Sequence, residues 1–211
     1  MVDFQSRDRR RDGRATDDED EQDDEDEQDD VTAETTAEEP TAAEQQAAEY
    51  GPETLPFAVV TVSGDRTMED DTTGDIVVDA IESAGDAVAT RDLIAPGYDG
   101  VQSTLNTLTD RADVDAVVTV GGTGVEPDDV TVDAATALFD KDLPGFGELF
   151  RVLSHEQEGT ATIRTRTTAG VIDGVPVFCL PGDTVAARRG VEQLVLEEAE
   201  TLAEQAGERP E

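Results

Sequence analysis

Tryptophan is absent and aromatic residues make up only 4% of the chain, so a core has to be assembled from Val, Leu, Ile and Ala. The single cysteine, Cys179, excludes an intrachain disulfide and a CxxC metal site. Within Val177-Phe178-Cys179-Leu180 it reads as a small buried hydrophobe. His155 is the sole histidine and reads as a polar residue at a helix end, with no second imidazole to share a metal. No apolar stretch approaches the roughly 18 residues needed to span a bilayer, and no apolar segment follows the N-terminal arginines as it would in a secretory leader. The expectation is a cytoplasmic protein with no membrane contact.

Positive charge is scarcest of all. Fifteen Lys and Arg face 52 Asp and Glu, for a net charge of −37, and Lys141 is the only lysine. With no basic stripe to neutralise phosphates, nucleic acid is excluded as a partner. Residues 1–50 hold 20 acids and 5 arginines, and the remainder holds 32 acids and 10 bases, so the part expected to fold is acidic by itself. Such a surface repels itself in dilute buffer and is relieved when the Debye length falls to about 3 Å near 1 M salt. It therefore suits the salt-rich cytoplasm of a halophile, the alternative being an acidic protein that binds basic partners.

The chain divides near residue 52. The extension 1–52 has an arginine patch (Arg7, Arg9, Arg10, Arg11, Arg14), then a run from Asp17 to Asp30 in which twelve of fourteen residues are acidic. A stretch rich in Thr, Ala, Glu and Gln follows, from Val31 to Glu49. Like charges this dense cannot bury enough apolar surface to offset the entropy of ordering, so disorder is expected. The extension reads as a solvated halophilic tail, or alternatively as an interaction tail.

Residues 53–211 are expected to form one domain. Phe57 to Val62 reads as a buried strand, and Asp71-Thr72-Thr73-Gly74 opens a helix that Gly85 stops. A strand over Ala87–Ile94, a helix over Asp99–Arg111 and a strand over Ala116–Val120 follow. Another helix is expected from about Asp129–Thr131, carrying Ala134, Ala135, Leu138 and Phe139. Alternation predicts a strand over Thr160–Thr168, then a buried strand over Val175–Leu180 and a long helix over Thr184–Ala206. Apolar strands alternating with helices point to an α/β protein whose mostly parallel sheet is covered on both faces, with ligands at the carboxyl ends of the strands.

The candidate chemistry gathers at those ends. Gly121-Gly122-Thr123-Gly124 directly follows a strand and reads either as an anion cradle of backbone N–H groups or as a plain tight turn. Adjacent carboxylates, Asp128 and Asp129, either hold a Mg²⁺ that bridges to phosphate or cap the next helix. Glu148 and Arg151 share a helix face, as a ligand-binding pair or as an exposed ion pair. Thr165-Arg166-Thr167 offers hydroxyls and a guanidinium, and Leu180-Pro181-Gly182-Asp183 opens a helix whose N-terminus favours an anion.

Taken in order, Thr61-Val62-Ser63, Asp71-Thr72-Thr73-Gly74, Thr119-Val120-Gly121-Gly122-Thr123-Gly124, Asp129-Val130-Thr131, Pro144-Gly145-Phe146-Gly147-Glu148 with Phe150-Arg151, Thr165-Arg166, Ala169-Gly170 and Leu180-Pro181-Gly182 resemble the MoaB/Mog family over about residues 57–200. The resemblance implies a three-layer α/β/α domain of the molybdopterin-binding type, assembled as a trimer or hexamer. It further implies Mg-ATP-dependent adenylylation of molybdopterin before molybdenum insertion, alongside other cofactor-assembly proteins. The alternative it allows is a non-catalytic molybdopterin carrier. Carried over residue by residue, it implies catalysis by Asp129 and metal binding by Asp129 with Asp128. Ser63, Gly121, Gly122, Thr123, Gly124, Pro181 and Gly182 would hold phosphate and nucleotide, and Glu148, Arg151, Thr165 and Arg166 the pterin. One departure stands out: Pro96 occupies the place of a second family aspartate, and Asp99, three residues on, is the candidate to replace it.

Overall fold

The computed structural model describes residues 54–207, and everything expected of residues 1–52 lies outside them. Strand β1 (Pro56–Val62) leads through a short 3-10 turn (Met68–Asp70) into helix α1 (Thr72–Ala84). Then come β2 (Ala87–Ile94), α2 (Tyr98–Thr109), β3 (Ala116–Val120) and a short α3 (Thr131–Thr136). A two-residue strand β4 (Lys141–Asp142) precedes α4 (Pro144–Glu158) and a 3-10 segment, Gly159–Arg164. The hairpin β5 (Thr168–Ile172) and β6 (Val175–Leu180) leads to α5 (Thr184–Gly190), a π-helical turn (Val191–Val195) and α6 (Leu196–Gly207).

The sheet order is β2-β1-β3-β6-β5-β4. The first four strands run parallel, and the β5 and β4 edge is antiparallel. Successive side chains of a strand point to opposite faces, and the two cores divide accordingly. Phe57 and Val59 join Val77 and Ile81 of α1 and Ala187 of α5 on one face. Ala58, Val60 and Val62 join Val101, Leu105 and Leu108 of α2 with Ala134 of α3 on the other. This is the expected three-layer α/β/α arrangement, and Cys179 is buried in the second core.

Local signals account for most element ends. Asp71 caps α1 by accepting the Gly74 N–H, and Gly85 ends it in the left-handed conformation. Three expectations change. The predicted strand over Thr160–Thr168 is instead a 3-10 segment plus extended chain, and the real strand begins at Thr168. The alternation there offers no apolar face to bury: its one large hydrophobe, Ile163, is 78% exposed. By contrast, residues 169–172 are apolar on both faces and fully buried. Helix α3 stops at Thr136, so Leu138 and Phe139 pack from the loop beyond it. The long C-terminal helix is interrupted by its π turn.

Candidate functional site

β1, β3 and β6 end side by side, and the turns leaving them are laced together. Gly121 N–H donates to Leu180 C=O at 3.0 Å, and Ser63 N–H donates to Ile94 C=O at 3.0 Å. Gly121 and Gly122 have φ of 99° and 66°, a region that disfavours any side chain. At Gly121 a Cβ would also lie 2.4 Å from the Val62 carbonyl oxygen. The loop thus packs backbone to backbone against the end of β1, and its residues border open space.

That space is a cleft of about 440 Å³. It brings together Ser63, Gly121, Gly122, Thr123, Gly124, Pro181 and Gly182, with Asp129 at the loop's far end. Asp99 and Asp128 are exposed and do not line it. Asp129 caps its own turn rather than the helix: its Oδ2 accepts the Glu126 N–H at 2.8 Å, while α3 has Val130 at its N-cap position and no side-chain cap. A Cβ on Gly124 would sit 2.4 Å from the same oxygen, so a side chain there would displace this carboxylate.

A second cleft of about 510 Å³ adjoins the first, and Thr165 lines both. It collects Glu148, Arg151 and Arg166 beside Val132, Ile163 and Thr167. Arg151 has no hydrogen-bond or ion-pair partner among the described residues, and it does not pair with Glu148. Arg166 is different. Its Nε donates to Gly124 C=O at 2.7 Å, its Nη1 to both Asp133 oxygens at 2.8 and 2.9 Å, and its Nη2 to Asp129 C=O. The guanidinium is a strut for the glycine loop, set between the two clefts.

Arg66, Arg164 and Glu158 also line the first cleft, and local motifs gave no sign of them. Arg66 donates to Gly182 C=O at 3.1 Å and approaches Asp71 at 3.5 Å. Asp71 is fully buried and accepts from Thr61 Oγ1 at 2.6 Å, Arg91 Nη2 at 2.9 Å and Gly74 N–H at 3.1 Å. Burial alone pushes its carboxyl upward, but the hydrogen bonds from Thr61, Arg91 and Gly74 outweigh that and hold it below the ordinary aspartate range. Arg164 is exposed and without a partner among the described residues. Five of the nine basic residues described (Arg66, Arg151, Arg164, Arg166 and Arg189) line these clefts or the groove beside them. In so acidic a chain, scarcity of bases was itself the available signal: each retained arginine was a candidate.

Residues 58–201 match the family model described as a probable molybdopterin binding domain. The chain is 37% identical over 155 residues to molybdenum cofactor biosynthesis protein B of Bacillus subtilis, covering 73% of this chain and 91% of that one. It is 37% identical over 147 residues to a protein of Pyrococcus furiosus named molybdopterin adenylyltransferase, covering 67% and 85%. A crystal structure of a molybdenum cofactor biosynthesis protein B superposes with a TM-score of 0.72 at 32% identity, covering 75% of this chain and 99% of that one.

Proposed function

The chain belongs to the family of probable molybdopterin binding domains, and from that premise we propose that it is a molybdopterin adenylyltransferase of molybdenum cofactor biosynthesis. A phosphate oxygen of molybdopterin attacks the α-phosphorus of ATP, the bond to the β-phosphate breaks, and pyrophosphate leaves. The observation that carries this reading is the pair of adjoining clefts sharing Thr165, one floored by the glycine loop and one presenting an unpaired Arg151. The first suits a polyphosphate, held by loop amides with Arg66 and Arg164 at its walls. The second suits the pterin, whose carbonyl and phosphate acceptors match a planar guanidinium. Bound together, the two substrates would be held in reacting geometry, which supplies much of the rate enhancement in phosphoryl chemistry.

The donor set fits Mg²⁺. No cluster of three or more His, Cys, Asp or Glu suited to a metal occurs among the described residues. Mg²⁺ ordinarily takes one or two carboxylates and completes its shell with substrate phosphates and water. Asp129 Oδ2 is committed to the Glu126 N–H, and Oδ1 is uncommitted. When bound, the ion offsets negative charge on the phosphate oxygens. Asp129 orients, Arg166 fixes the loop that carries it, and Arg66 and Arg164 bind anion.

A carrier function is the second reading, favoured by the position of Asp99 outside the cleft. Assembly as a trimer or hexamer in a salt-rich cytoplasm completes the proposal. Supporting it are the exposed apolar side chains Leu149, Val152 and Ile163, and no helix among the described residues is long and apolar enough to cross a membrane. The decisive experiment incubates the pure protein with molybdopterin and Mg-ATP in molar KCl. Adenylylated molybdopterin with equimolar pyrophosphate is expected; tight molybdopterin binding without either product would establish the carrier instead.

A further inference from the structure

Arg189 belongs to the last turn of α5, yet it is only 6% exposed and its guanidinium reaches across to α4. Nη1 donates to Ser154 Oγ at 2.9 Å and to Glu158 Oε1 at 2.9 Å, and Nη2 donates to Gln157 Oε1. All three acceptors lie in the final turns of α4. At the next residue, Gly190, a Cβ would lie 2.4 Å from Leu180 Cδ2 and 3.2 Å from Phe150 Cε2, so α5 packs closely on β6 and α4 there.

What Arg189 grips is the base of the cleft wall. Immediately after Glu158 the chain turns at Gly159 (φ 59°) into the 3-10 segment that carries Ala161 and Arg164 to the first cleft, with Thr165 next. Glu158 itself faces both that cleft and the groove on the Arg189 side. A carboxylate and the C-terminal end of a helix thus border the cleft where a polyphosphate is to bind, and each disfavours an anion. A guanidinium held by three acceptors at that spot offsets both, and its fixed fork sets their geometry.

We propose that Arg189 is a positioning residue for polyphosphate binding: it neutralises Glu158 and anchors the turn that presents Arg164 and Thr165 to the cleft. This rests on the first cleft being the nucleotide site. The test compares the full chain with Arg189→Met, Arg189→Lys and Arg189→Met/Glu158→Gln, titrating Mg-ATP calorimetrically at fixed KCl and following hydrogen exchange of amides 159–165. Arg189→Met should weaken Mg-ATP at least about tenfold and speed exchange in 159–165. Arg189→Lys, which restores the charge without the fork, should recover part of the affinity. The double variant, with no uncompensated carboxylate, should bind more tightly than Arg189→Met; equal weakness in the two would reduce Arg189 to packing and overturn the proposal. Wild-type affinity in Arg189→Met would overturn it as well. Should wild type bind no ATP, the nucleotide reading fails, and the anchoring role is then decided by exchange alone: unchanged exchange in Arg189→Met rejects it.

Discussion

Asp129 closes a turn and is proposed to serve the chemistry as well, and a single atom change can separate the two. One oxygen closes the turn on the Glu126 N–H, and the proposed second role needs the negative charge. Asp129→Asn keeps an oxygen for the turn, so the fold and molybdopterin binding should survive. Loss of the charge at a preorganised electrostatic site should lower adenylyl transfer about 10²–10³-fold. Steady-state pyrophosphate release with a parallel melting curve reads both, and an unimpaired rate would remove Asp129 from the chemistry. Arg166 combines a place in the second cleft with a structural task. Its guanidinium donates to Gly124, Asp129 and Asp133 and keeps one Nη2 hydrogen unassigned, so most of its bonding goes into holding the loop.

Between elements, Asp71 is the junction that matters. Its side chain caps α1, accepts from Thr61 on β1, and pairs with Arg91 on β2, while Arg66 bridges it to Gly182 beyond β6. Removing one partner of a buried pair strands the other, at about 3–5 kcal/mol. Arg91 is 20% exposed, which places Asp71→Asn at the lower end of that range. Because the carboxyl is held below its ordinary value, its stabilisation is complete above the unfolded value of about 3.9 and is lost as pH falls through the lower folded value. Asp113, lowered by Arg111, contributes with the same sign. Urea unfolding between pH 6 and pH 2.5 should therefore show wild-type stability falling mainly below about pH 4. Asp71→Asn should start lower and decline less steeply; parallel curves would discount the junction.

For the molecule as a whole, charge sets the conditions of folding. The domain's surplus of acids is unscreened in dilute buffer, so the melting midpoint should climb steeply from low salt into molar KCl. The same screening should favour association through exposed apolar side chains such as Leu149, Val152 and Ile163. Thermal unfolding with light scattering across a KCl series tests both, the expected result being a higher midpoint together with a mass three or six times that of one chain. A midpoint indifferent to salt would remove the halophilic reading, and a monomer throughout would remove the assembly.

Wherever the cause of structure is local, the sequence sufficed. Apolar runs of strand length, Asp71 before α1, Gly85 after it and the glycines after β3 each act within a few residues, and the parallel three-layer fold follows from their alternation. The glycine loop and both turns flanking it were legible for the same reason. The segment 160–168 was not, because its alternation mimics a strand while Ile163 finds nothing to bury against. Only the tertiary structure could bring Arg66 to Gly182 across 116 residues, or Arg189 to Ser154 across 35. Long-range polar contacts leave no periodic mark on a sequence. Their geometry is set by how closely packed elements approach, as α5 approaches β6 and α4 at Gly190.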